Sequence, residues 1–146
     1  MNEEDTISTA DLCAHLASKD SFAKLLGIEL VEASEGRSTM RMTVRDDHLN
    51  INGSCNGAVM FALADCAFGI ACNSYGILAA GIDVHMTFQA GAMPGDVLSA
   101  TATEVSRSRR LSVYRIDVTK ADGTYIAGFT GTAYITGKPN YSPPQG

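Results

Sequence analysis

The sequence predicts an α+β fold: an antiparallel sheet of five or six strands wrapped around one long central helix, with an N-terminal helix ahead of it. Three observations predict it. Asn56 to Tyr75 is one apolar run, with Val59, Leu63, Cys66 and Ile70 at helical spacing. Several later segments alternate apolar and polar residues with the period of a half-buried strand. Turn signals separate those segments at Glu35-Gly36, at Pro94-Gly95-Asp96 and at Asp122-Gly123.

The elements follow in chain order. Met1 to about Thr6 is expected to be loose. Ser8 or Thr9 can cap a helix, and Leu12, His15, Leu16, Phe22, Leu25 and Leu26 give it an apolar face. A break is expected near Lys19-Asp20, and Gly27 is a natural terminator. Ile28 to Ala33 and Ser38 to Val44 read as a hairpin, with Met40, Met42 and Val44 on one face. Arg45 to Cys55 is a polar loop leading into the central helix, for which Asn56 is the expected N-cap and Gly76 the stop. Strands are then expected at 79–88, 97–106, 111–120 and 125–136, the four forming a meander, with Asp122-Gly123 the strongest hairpin signal. The proline-bearing tail is expected to be disordered. The whole chain reads as a single domain, with its core at about residues 20–137.

Composition narrows the function. The chain has 146 residues, 45% of them hydrophobic and 18% charged, as in ordinary globular proteins. A net charge of −5 argues against a general nucleic-acid binder. The central helix is too short and too interrupted for a membrane span. Cys13, Cys55, Cys66 and Cys72 show no metal-like spacing, so no metal site is expected. The acidic start does not read as a signal peptide, which makes the cytoplasm the expected location.

One residue in the central helix conflicts with its surroundings. Asp65 is its single carboxylate, and the helix is apolar or small on every side. Such a helix is buried nearly all round. An acid there needs hydrogen bonds, a partner charge or a water-filled cleft. That makes Asp65 the first candidate for chemistry. His48 and His15 read as surface residues, and His85 as a core or interface histidine that could pair with Asp83.

The helix entry, Asn50…Ser54-Cys55-Asn56-Gly57-Ala58, followed by Leu63-Ala64-Asp65, resembles the hotdog-fold acyl-CoA thioesterases, closest to the phenylacetate-degradation (PaaI) subgroup. Ala71-Cys72-Asn73-Ser74, Pro94-Gly95-Asp96-Val97-Leu98 and Ala100-Thr101-Ala102 extend the resemblance over about residues 20–137. It implies hydrolysis of an acyl-CoA thioester carrying an aryl-acetyl or medium-chain acyl group. No cofactor is implied beyond the coenzyme A of the substrate. It also implies a homotetramer, a dimer of dimers. By position, Asp65 matches the nucleophile or general base, Gly57 the backbone donor to the thioester carbonyl, and Asn50 a residue that orients water. Asn56 and Ala58, in the helix entry where the family usually has His-Gly-Gly, are expected to contact the substrate. Some relatives place a Ser or Thr on the next strand, where Asp83, His85 and Thr87 are the candidates. Arg107, Arg109 and Arg110 share one strand connection and are candidates for the coenzyme A phosphates, with Lys138 a further one.

Helix geometry adds a constraint once those roles are granted. Gly57 and Asp65 are eight residues apart, about 12 Å along the axis. Both must come within about 3 Å of one carbonyl. One helix cannot do that, but two antiparallel copies can, so the site is expected to be shared between chains. Two other functions fit the same pattern: a non-catalytic acyl-CoA binding module, and a dehydratase or hydratase. The second loses ground because Asn56 stands where its histidine would.

Overall fold

A computed structural model describes residues 6–146; the expectation for the first residues falls mostly outside them. Helix α1 spans Thr9–Ser18 and α2 spans Ser21–Leu26. Ser8 caps α1 through the Asp11 N–H, Asp20 caps α2 through the Ala23 N–H, and Gly27 ends α2 at φ 76°. Strands β1 (Glu29–Ser34) and β2 (Arg37–Thr43) form the expected hairpin. The central helix α3 spans Gly57–Asn73, with the Asn56 side chain accepting from the Ala58 N–H. Strands β3 (Ile77–Phe88), β4 (Val97–Arg107), β5 (Leu111–Lys120) and β6 (Tyr125–Pro139) complete the chain.

All six strands lie in one antiparallel sheet, ordered β1-β2-β4-β5-β6-β3. The expected four-strand meander is therefore corrected. Only β4, β5 and β6 run as neighbours, while β3 pairs with β6 at the far edge. The connection from β3 to β4 crosses at the start of α3 instead of making a hairpin. It is held there by the Cys55 N–H donating to Ala92 O at 2.7 Å and the Gly95 N–H donating to Val44 O at 2.8 Å. Ala92 is fully buried in that crossing.

Alternation in β2, β4 and β5 sends Met40, Met42, Leu98, Ala100, Ala102, Tyr114, Ile116 and Val118 against α3. The small residues of β4 let the helix lie close. Phe68 of α3 anchors the contact, with ring centroids 5.8 Å from Tyr114 and 5.7 Å from Phe129. Its ring lies against β6 at Gly131, where a Cβ would come within 2.8 Å of it. The C-terminal end of α3 is tied down by Asn73, whose side chain donates to Ala79 O at 3.0 Å and accepts from the Ala79 N–H at 2.9 Å. The Ser74 hydroxyl donates to Ala71 O and accepts from the Gly36 N–H.

The buried part of α3 is not the stripe the spacing suggests. Val59 and Cys66 are half-buried, and Leu63, Ala64, Ala67, Phe68 and Ala71 are deepest. One sheet covers one side of the helix, and Ala58, Asp65 and Gly69 line the side it leaves open, while the Phe61 ring packs 5.3 Å from that of Phe129 on β6. Tyr141 of the tail, which has no regular structure, meets His15 edge to face at 5.4 Å.

The Phe68 contact yields a test. Gly131→Ala should destabilise the protein by about 1–3 kcal/mol in urea unfolding, because a methyl group there overpacks a buried ring. Phe68→Leu in the same chain should recover part of that loss.

Candidate active site

The helix entry is built by a tight loop. Asn50 Oδ1 accepts from the Asn52 N–H at 2.9 Å and the Ser54 N–H at 3.2 Å, while its Nδ2 donates to Ser54 Oγ at 3.1 Å. This is the Asx-type turn that asparagine favours. The Asn56 N–H donates to His48 O at 2.8 Å and closes the loop. Because the Asn56 side chain takes the Ala58 N–H, at 2.9 Å, no acceptor meets the Gly57 N–H among the described residues. Unpaired N–H groups at a helix start carry partial positive charge. Gly57 opens into a cleft of about 340 Å³, with Asn50, Ser54, Met60 and Phe88 in its walls. A Cβ on Gly57 would lie 3.3 Å from the Phe88 ring.

Asp65 sits in a different cleft, of about 450 Å³, lined by Leu16, Lys19, Asp20, Cys66, Gly69, Ile70, Asn73, Leu78 and Asn140. The expectation of a buried acid is corrected. Asp65 is exposed in the single chain, because it lies on the helix side that the sheet does not cover. Its carboxylate receives no hydrogen bond among the described residues, and the cleft walls still desolvate it. That desolvation raises its pKa, and the nearby Asp20 raises it further. Asp20 is the residue that sequence reasoning missed: 45 positions separate it from Asp65, and no local pattern links them.

The structure thus brings Asn50, Asn56, Gly57 and Ala58 together at one helix end and sets Asp65 apart from them. Arg107, Arg109 and Arg110 lie at the other end of α3. The Arg107 guanidinium stacks 3.8 Å above the Tyr75 ring and lies 3.9 Å from Glu104 Oε2. The same oxygen accepts from the Tyr75 and Tyr114 hydroxyls, each at 2.8 Å. Arg109 and Arg110 are exposed, as is Lys138. His85 is also exposed, on edge strand β3, and its ring lies 3.3 Å from the Thr87 hydroxyl, with no Asp83 bond among the described residues. That corrects a core placement and the Asp83 pairing.

The surface placement expected of His48 is also corrected. The residue is 1% exposed, and its Nδ1 accepts from the Arg45 N–H at 3.0 Å. It stands inside the loop that delivers Gly57, where nothing in its sequence neighbourhood announces burial. The cysteines offer no nucleophile. Burial pushes the Cys55 thiol up to about 11, and Cys66 and Cys72 to about 12. Cys66 is half-buried, not wholly within the core.

Residues 52–127 match the thioesterase superfamily. The chain belongs to that family. It is 36% identical to the acyl-coenzyme A thioesterase PaaI of Escherichia coli over 118 residues, covering 81% of this chain and 84% of that one. The structure of the E. coli PaaI protein superposes with a TM-score of 0.87, covering 90% of this chain and 96% of the other, at 34% identity. Human acyl-coenzyme A thioesterase 13 is 27% identical over 134 residues, 89% of this chain and 96% of that protein. The smu.793 protein of Streptococcus mutans, solved bound to acetyl CoA, superposes with a TM-score of 0.74 at 26% identity, covering 77% and 91% of the two chains. The fold is therefore the hotdog fold of a PaaI-like thioesterase. Among the described residues no helix is long and apolar enough to cross a membrane.

Two measurements follow from the site's electrostatics. A group whose pKa is raised on folding favours the native state below its unfolded pKa and loses that contribution as pH rises through the folded value. Asp65→Asn should therefore raise the Tm at neutral pH, and the gain should shrink on acidification, as scanning calorimetry across pH would record. Cys55 should react with iodoacetamide at pH 7 far more slowly than a free thiol, as mass spectrometry would show.

Proposed function

We propose that this protein hydrolyses acyl-CoA thioesters to the free acid and coenzyme A, at a site shared by two copies of the chain. One observation carries this reading. The unpaired Gly57 N–H and the desolvated Asp65 carboxylate lie on one helix, about 12 Å apart, in separate clefts. The likeness to PaaI and to the acetyl-CoA-bound smu.793 protein supports the substrate class.

A second copy resolves the separation. Two antiparallel α3 helices, meeting along their open sides, set one Gly57 beside the other chain's Asp65. Edge strand β3 supports such a pairing. It is twelve residues long, has no neighbour on its outer side among the described residues, and exposes Leu78, Ile82, Val84 and Phe88. A bare apolar edge of that length invites a second strand. Pairing two such dimers into a tetramer remains the family's implication.

The chemistry then runs in order. The Gly57 N–H, at the positive end of α3, polarises the thioester carbonyl and stabilises the oxyanion of the tetrahedral intermediate. Asp65 of the facing chain either attacks the carbonyl carbon or takes a proton from the attacking water. Direct attack expels the coenzyme A thiolate and leaves a mixed anhydride, which water cleaves. Activated water gives the acid and the thiolate in one passage. Asn50 braces the loop and faces the same cleft, where it can hold that water. Asn56 and Ala58 shape the entry. The acyl group lies toward Met60 and Phe88, whose surfaces suit an aryl-acetyl or medium-length chain. In the antiparallel pair, the arginine-bearing end of the Asp65-donating chain extends beyond the Gly57 of its partner. Arg109 and Arg110 are free there for the coenzyme A phosphates, with Arg107 braced behind them. The reaction needs no metal or further cofactor. Four unpaired cysteines fit a reducing, cytoplasmic setting.

Thiol release from a panel of aryl and aliphatic CoA esters tests the activity. Asp65→Asn should lower kcat by about 100- to 10,000-fold while CoA-ester binding persists; full turnover in that variant would remove Asp65 from the reaction. Complementation tests the sharing. Gly57→Pro removes the N–H at a helix position that accepts proline, and Asn56 already has the extended backbone that precedes one, at φ −60° and ψ 132°. Each variant alone should be inactive. Refolding the two together should restore about a quarter of the parental sites, since half the random dimers carry one intact site of two.

A further inference from the structure

The cleft that holds Asp65 contains a second carboxylate with no role in the reaction as described. Asp20 joins α1 to α2, and two bonds fix it. Its Oδ1 accepts from the Ala23 N–H at 2.9 Å, and its Oδ2 accepts from the Cys66 thiol at 3.6 Å. Cys66 is the residue after Asp65, so this bond ties the α1–α2 connection to α3 beside the acid. Both carboxylates line the same cleft.

We propose that Asp20 is a positioning residue for the reaction: its anchored carboxylate, facing Asp65 across the cleft, makes Asp65 a stronger proton acceptor and nucleophile than an isolated aspartate. The inference rests on the reading of Asp65 as the reacting carboxylate.

The other groups around Asp65 leave this role to Asp20. Lys19 and Asp20 face it from the α1–α2 connection. On α3 itself, Cys66 and Cys72 are held as neutral thiols by burial. Strand β3 and the tail contribute Leu78 and Asn140, neither of which carries charge. Local charge therefore reduces to one cation and one anion. Lys19 is exposed on a flexible stem and makes no ion pair among the described residues, so water screens it. Asp20 is half-buried and held on both oxygens. A fixed like charge disfavours ionisation of its neighbour, and a carboxylate that holds its proton more tightly is the better base. The raised proton affinity of Asp65, due first to burial and then to Asp20, agrees with this geometry.

Asp20→Asn separates charge from the cap, since asparagine caps helices as well as aspartate: its Oδ1 keeps the Ala23 N–H, while its Nδ2 takes the place of Oδ2 and donates to Cys66 Sγ in place of accepting from the thiol. In the parent, kcat/KM should fall on acidification as Asp65 takes up its proton. In D20N that acid limb should move to lower pH. On the limb, D20N should run about two- to five-fold faster than the parent, each taken as a fraction of its own plateau. Asp20→Ala, which loses the cap as well, should also lower the Tm; D20N should not. A purely structural Asp20 would lower the plateau and leave the limb unmoved, and that result overturns the proposal. A ¹³C titration of the Asp65 carboxyl gives a readout independent of turnover. Its midpoint should fall in D20N, and an unmoved midpoint overturns the proposal whatever the substrate. If the parent cleaves no CoA ester yet the midpoint moves, the coupling stands and the thioesterase reading fails.

Discussion

The structure depends on a mismatch of area: one helix, apolar or small almost all round, against one sheet that can cover only part of it. Hydrophobic burial fixes the covered part. Phe68, Leu63, Ala67 and Ala71 pack against β2, β4, β5 and β6, with Ala100 and Ala102 of β4 and Gly131 of β6 small enough for close approach. The uncovered side then cannot be arbitrary. Ala58 and Gly69 keep it flat, and Asp65 places a charge in its middle. A side of that kind is poorly matched to water and poorly matched to a second layer of the same chain, because α1 and α2 shield only one flank of it.

The two polar features of α3 also answer each other physically. At its first turn the helix presents unpaired N–H groups and a positive partial charge; at its midpoint it carries a negative one. On a single straight helix these cannot meet. Head-to-middle pairing of two antiparallel helices satisfies both at once, and a reacting carbonyl placed between them would gain a donor on its oxygen and an electron pair at its carbon. Under the proposed shared site, the same spacing that defeats a monomeric site would account for an acid eight residues from the helix start.

Much of this was legible in the sequence, for identifiable reasons. Met40, Met42 and Val44, Leu98, Ala100 and Ala102, and Tyr114, Ile116 and Val118 alternate because each strand has one face on the helix, and that local rule was enough to place them. The break at Lys19-Asp20 and the stop at Gly27 were readable from capping chemistry. What failed was non-local. Strand β3 carries Gly81, Asp83 and His85 in place of a clean alternation, and its position beside β6 is fixed by a crossing over the helix start that no turn motif announces. Burial of His48 depends on backbone bonds closing around it from Arg45 and Asn56. Asp20 reads locally as a cap, which it is; its nearness to Asp65 exists only once α1 and α2 fold back onto α3.

The substitution at the helix entry can be weighed on the same terms. The family resemblance implies histidine where this chain has Asn56, and under the proposed reaction a carbonyl donor is still needed there. Asparagine is among the best N-cap residues and histidine is not. Here the Asn56 oxygen takes the Ala58 N–H, which aligns the first turn, and the preceding N–H of Gly57, a residue lining the cleft, has no acceptor among the described residues. A donor at that place needs only a glycine and a well-capped turn, both of which are present. What a histidine could add, a titratable ring at the cleft mouth, is absent. His48 does not replace it, being buried behind the loop with Nδ1 already engaged. Under the proposed reaction, proton transfer would then fall to the Asp65 carboxylate alone, and the electrostatics around Asp65 would carry a weight that a histidine at the helix entry could share.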